Sequence, residues 1–278
     1  MLKLFKKILV LWLAIQTGLG YSTASFAQTS NNSTMLRLFL PIRSADFPQL
    51  IETLEGKFSE YGFENIKIAT TDDWHNFQQG LRHGRAGVYL APPHFAAWAI
   101  NKYNFLPLLK ISKPLSYVIT TTRADLSLFE VNDLAGRTVC TSNPLNLDYL
   151  LLNQALKKSI RSAKIEIVDS VEQQMQQPGT PCAAFSVSLH IFDKFALSQS
   201  DRWIRLQQSE RQNNYVFVAH PEISPDQISN IRDYLSSDIG QQLLSPVLEL
   251  FANDARLIPA RVEDYPNTYS KILDRYWQ

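Results

Sequence analysis

The chain predicts an α/β fold built in two halves, on three observations. Short apolar runs of strand length alternate with segments of helical periodicity, the spacing of βα units that assemble a mainly parallel sheet. The alternation stops near Lys110 and restarts at Thr138, so the pattern occurs twice. Extended, β-rich segments near 115–123 and 213–219 lie between the halves.

The amino terminus carries Lys3, Lys6 and Lys7, then the apolar run Ile8 to Ile15, then small residues ending in Ser25-Phe26-Ala27. This is the layout of a secretory signal, with cleavage expected after Ala27; an uncleaved anchor is the alternative. The apolar run is short for a membrane span, and no cysteine near the cleavage site supports a lipid anchor. The expected mature chain, Gln28 to Gln278, is long enough for one or two domains. Without the three leader lysines the formal net charge falls from +1 to −2, which is no nucleic-acid footprint. Gln28 to Thr34 is polar and reads as a leader without a core of its own.

In the first half, Leu36 to Leu40 alternates as a strand. Phe47 to Tyr61 has apolar residues at 47, 50, 51, 54 and 58, a helical stripe closed by Gly62. Ile66 to Ala69 is a strand and Trp74 to Arg82 a helix. Val88-Tyr89-Leu90-Ala91 has the size of a buried strand and stops at Pro92 and Pro93, which cannot donate to a ladder. His94 opens a helix with Phe95, Trp98 and Ala99 on one face. A strand, a tight turn and a helix start present backbone N–H groups to a ligand, and ligands of open α/β folds gather at such strand ends. Leu106 to Lys110 is a further strand, followed by the extended run Leu115 to Thr121.

The second half repeats the scheme. The strand Thr138 to Cys140 precedes a helix, Tyr149 to Lys158. The strand Lys164 to Val168 precedes a helix, Val171 to Gln176. Ala183 to Phe185, Trp203 to Leu206 and Tyr215 to Ala219 are strands. Pro225 to Leu235, Ile239 to Phe251 and Tyr265 to Tyr276 read as helices.

Three segments carry a family likeness: Leu90-Ala91-Pro92-Pro93-His94-Phe95-Ala96-Ala97-Trp98, Tyr117-Val118-Ile119-Thr120-Thr121-Thr122-Arg123, and Val131-Asn132-Asp133-Leu134-Ala135-Gly136-Arg137-Thr138-Val139. With Ala183 to Ser186 and Asp193-Lys194-Phe195, their order resembles the type II periplasmic solute-binding proteins, in particular the phosphate/phosphonate-binding receptors of ABC transporters. The resemblance implies two α/β lobes, each a mainly parallel sheet flanked by helices, joined by two extended crossovers around a ligand cleft. Lobe one is then 28–118 plus 216–278, and lobe two 119–215. The implied function is capture of a small polar solute, phosphonate- or phosphate-like or another oxyanion, by a monomeric periplasmic receptor for an inner-membrane ABC permease. A sensor serving a membrane kinase is the alternative. An enzyme on this scaffold would need an acid/base pair, and none stands out.

By the same resemblance the ligand-binding candidates are Pro93 and His94 at the helix start, Tyr117 on the first crossover, Ser142, Asn143 and Asn146 after the first strand of lobe two, and Ser186 at a later strand end. The chain departs from the family at two places. Gly87 and Cys182 stand where an aspartate precedes the central strand of each lobe. The Ser/Thr-rich turn that holds an oxyanion in these receptors reads Thr141-Ser142-Asn143-Pro144-Leu145-Asn146-Leu147-Asp148-Tyr149. Here Asp148 suits the helix dipole but occupies the place an anion would use. The only two cysteines, Cys140 and Cys182, would default to a disulfide in an exported protein, with two buried thiols as the alternative. No catalytic residue, cofactor or metal is expected, because His75, His83 and His220 show no ligand spacing.

Overall fold

The computed structural model describes residues 36–42, 48–60, 66–71, 74–83, 86–122, 125, 127–142, 146–157, 163–177, 179–198 and 202–274. The expected leader, with its expected cleavage after Ala27, and the candidate Asn143 lie outside the described residues.

Two sheets organise the chain. The first contains β1 (Leu36–Leu40), β2 (Ile66–Thr70), β3 (Val88–Ala91), β4 (Leu106–Ile111), β10 (Val216–Ala219) and β11 (Leu257–Pro259), in the order β11-β4-β10-β3-β1-β2. The second contains β5 (Tyr117–Thr122), β6 (Thr138–Thr141), β7 (Lys164–Ile167), β8 (Ala184–Ser188) and β9 (Trp203–Gln208), in the order β7-β6-β8-β5-β9. These are the two lobes. Each sheet is mixed: in both, the strand that has just crossed from the other lobe enters against its neighbours, and in the first the edge strand β11 also runs against β4. Thus β10 is antiparallel to β3 and β4, and β5 is antiparallel to β8 and β9.

The four residues of β3 are all buried, and their side chains alternate between two cores. Val88 and Leu90 join Leu38, Leu54, Phe58 and Leu244, beneath helices α1 (Pro48–Glu60), α7 (Pro225–Ser236) and α8 (Asp238–Leu248). Tyr89 and Ala91 join Phe77, Phe95, Trp98 and Tyr265, beneath α2 (Trp74–Arg82), α3 (Pro93–Tyr103) and α9 (Asn267–Asp274). Lobe two repeats the arrangement. Ile119, Val139, Leu152 and Ala184 pack under α4 (Leu147–Leu156). Val118, Phe185, Val187 and Trp203 pack under α5 (Val171–Gln176) and α6 (Leu189–Ser198).

Gly87 has a packing reason. A Cβ there would lie 2.6 Å from Phe39 Cε2 and 2.8 Å from the Arg37 carbonyl, because the Phe39 ring stacks on Tyr89 with centroids 4.1 Å apart. At the other departure, Cys182 is joined to Cys140 by a disulfide, with the Cα atoms 5.5 Å apart. The bond ties β6 to the residues that enter its parallel neighbour β8.

Among the elements that differ from the sequence expectation, two lie at the carboxyl end. The three-residue strand β11 is too short to show periodicity and exists by pairing with the edge of β4. The last helix starts at Asn267 rather than Tyr265. A 3-10 turn, Val262–Asp264, precedes it, closed by the Arg261 amide donating to Asp264 Oδ2 at 2.8 Å. Tyr265 is thereby buried, its hydroxyl donating to the Asn214 carbonyl at 3.0 Å.

Candidate functional site

The chain passes between the sheets twice, at 112–116 and at 209–215, and the two passages are bonded to each other. Leu115 and Gln212 exchange backbone hydrogen bonds of 2.9 and 2.8 Å. The Tyr117 amide donates to Ser209 Oγ at 2.9 Å, and the Ser209 amide returns a bond to the Tyr117 carbonyl at 2.8 Å. Each passage delivers a tyrosine, Tyr117 at the start of β5 and Tyr215 just before β10. The Tyr117 ring is half-buried, yet its hydroxyl is deep: burial, then Tyr215 and Asp148, push its pKa well above that of a free tyrosine. Burial and the Asp148 charge push Tyr215 up in the same way. Both tyrosines therefore lie within electrostatic reach of one carboxylate in lobe two.

That carboxylate heads α4. Asp148 is 6 % exposed. Its Oδ2 accepts from Thr141 Oγ1 at 3.0 Å and from Ser142 Oγ at 2.8 Å. Ser142 Oγ in turn accepts from Asn146 Nδ2 at 2.7 Å. Asn146 holds the N-cap position, yet its side chain caps nothing; the amide is drawn aside to Ser142. Asp148 Oδ1 and Asn146 Oδ1 are both buried and accept no hydrogen bond from the described residues. Burial raises the Asp148 pKa, while the Ser142 hydroxyl, the Tyr149 amide and the Thr141 hydroxyl oppose the rise without cancelling it. Ser186, 1 % exposed, reaches the Asp148 carbonyl with Oγ at 3.5 Å.

The facing wall is the start of α3. Pro92 is the N-cap and Pro93 the first helical residue, with no side-chain cap; proline is pre-set for this position and has no N–H to leave unsatisfied. His94 is fully buried, its ring tilted against Phe95 at 4.7 Å. The next residues of α4 close the gap: Tyr149 and Leu150 of lobe two pack into the lobe-one cluster that holds Phe95, Ala96 and Trp98. The first turns of α3 and α4 thus share one apolar cluster, and the lobes are in contact. A cavity of about 840 Å³ beside α4 is lined by Tyr117 and Ser186 together with Gln154, Gln207, Glu130 and Lys271.

Of the candidates named from sequence, Ser142, Asn146 and Ser186 converge on Asp148, and Tyr117 overlooks it. Pro93 and His94 belong to the opposite wall, His94 packed inside it. Thr141 and Tyr215 were missed. The signal for Tyr215 was its place on the second crossover, matching that of Tyr117 on the first. Among the described residues no group of three or more His, Cys, Asp or Glu side chains is placed to hold a metal ion.

The family model for the ABC transporter, phosphonate, periplasmic substrate-binding protein matches residues 44–265. The chain belongs to this family. Solved structures with the same fold include XAC2383 from Xanthomonas citri bound to ATP, at 16% identity and a TM-score of 0.67 over 86% of this chain and 97% of that one. PhnD1 from Prochlorococcus marinus in complex with methylphosphonate superposes with a TM-score of 0.67 at 13% identity, over 87% of this chain and 97% of that one. The aliphatic sulphonate binding protein SsuA from Escherichia coli gives a TM-score of 0.58 at 11% identity, over 87% and 91%. No curated protein matches the chain. The phosphonate-receptor family membership and the two-lobed type II fold agree with the sequence-based resemblance.

Proposed function

We propose that the chain is exported by its leader, is cleaved after Ala27, and works in the periplasm as a monomeric receptor without catalytic activity. It captures a small polar solute between its lobes and delivers it to an inner-membrane ABC permease. The solute lies between the α3 start at Pro93 and His94 and the loop of Ser142, Asn143 and Asn146, above Tyr117 and Ser186. The observation that carries this reading is the buried polar cluster of Thr141, Ser142, Asn146 and Ser186 around Asp148, within electrostatic reach of both crossover tyrosines. A ligand touching both walls favours the closed arrangement by its differential affinity, which is what drives closure.

A thermal-shift screen tests it. A true ligand at about a hundred times its dissociation constant stabilises by about 2.7 kcal/mol. For a chain of this size that is a shift of roughly 5–10 °C. Tyr117→Ala should remove most of the shift while leaving the unliganded protein folded. If the substitution leaves the affinity of an identified ligand unchanged, the cleft site is wrong; if a hit is consumed rather than bound, the protein is an enzyme.

A further inference from the structure

Resting on the cleft reading, we propose that the solute offers a hydrogen-bond donor to the head of α4, an ammonium or similar nitrogen cation held by Asp148 Oδ1 and Asn146 Oδ1. The side-chain donors that could have held an oxyanion here, the Thr141 and Ser142 hydroxyls and the Asn146 amide, are already engaged. Thr141 and Ser142 both donate their hydroxyl protons to Asp148 Oδ2. The Asn146 amide donates to Ser142. Among these side chains, what remains unmatched is acceptor capacity: two buried oxygens of one turn with no partner among the described residues. A buried acceptor left empty costs free energy that a partner recovers, and a buried carboxylate costs more than a neutral one. A donor-bearing cation satisfies both oxygens and compensates the charge.

The competing possibility within the same site is a protonated Asp148 that donates Oδ1–H to an oxyanion, and Asp148→Asn separates the two because it keeps the shape and removes the charge. The full chain is tested by calorimetry and thermal shift against propylammonium, putrescine and ethanolamine, and against methylphosphonate, propylphosphonate and inorganic phosphate. The ammonium series should bind and the oxyanions should not. Asp148→Asn should weaken the best ammonium probe by about 10- to 100-fold, the range for a hydrogen bond to a charged group. Asn146→Ala, a milder change that tests the second oxygen, should weaken it by about 3- to 10-fold, the range for a neutral one. An ammonium probe bound equally well by both variants overturns the site. An oxyanion that binds and keeps its affinity in Asp148→Asn overturns the inference but leaves the receptor standing. No binding by either series, with no small molecule released when the purified protein is denatured, overturns both.

Discussion

Asp148 sits where a carboxylate is unfavourable without a ligand. Burial raises its pKa against the pull of Ser142 and Thr141, so the folded protein holds this proton more tightly than the unfolded chain does. A carboxyl with a raised pKa destabilises the fold progressively as pH climbs past the unfolded value of about 4, and the loss levels off above the folded value. Asp148→Asn removes that dependence. Its unliganded melting temperature should therefore exceed that of the parent at pH 7 and converge with it below about pH 4. Equal melting curves at pH 7 would mean the carboxylate is not under strain. The same residue shows what the sequence could say. Its place at the start of a helix after a strand was legible from the Thr141 to Tyr149 stretch. Its empty oxygen was not, because that depends on which way Ser142 and Asn146 turn, and side-chain hydrogen bonding has no sequence period. His94 is the converse: its position at the helix start was readable, while its burial against Phe95 depends on long-range packing that a local stretch does not encode.

At the scale of elements, lobe two is the smaller body and carries the covalent tie. The Cys140–Cys182 disulfide has a sequence separation of 42, and closing a loop of that length in the unfolded chain corresponds to about 4 kcal/mol at most. Denatured, unreduced protein should show no free thiol, and the Cys140→Ser/Cys182→Ser double variant should melt lower; two titratable thiols in protein taken directly from the cell envelope would refute the bond. The tie braces β6 against β8, the strands that position Thr141 and Ser186, so the variant should also weaken ligand binding in proportion to how far the loop relaxes. Strand and helix identities in both lobes were legible because Val88 to Ala91 and Thr138 to Cys140 are bounded apolar runs. The mixed direction of each sheet was not, because the reversal at β5 and β10 arises from pairing across some hundred residues of chain rather than from anything local.

For the whole molecule, the contact of Tyr149 and Leu150 with the lobe-one cluster is the apolar part of closure. Leu150 is 6 % exposed in this arrangement, and truncating a buried leucine costs about 2–5 kcal/mol where the contact exists. Leu150→Ala should therefore shift unliganded protein toward an open form, seen as a larger radius of gyration in solution scattering, and lower ligand affinity without loss of either lobe's fold. An unchanged radius together with unchanged affinity would remove this contact from the closing mechanism. Two lobes and two crossovers were readable from the doubled βα pattern; that the lobes touch through these two residues was not. The crossovers themselves carry a mechanical consequence. Leu115 is bonded to Gln212 and Tyr117 to Ser209, so the two connections form one laced ribbon instead of two separate tethers. A ribbon laced edge to edge resists splaying and yields most readily in torsion. Opening about this ribbon should then be a twist about a single axis, with the two lobes turning as bodies on either side of it.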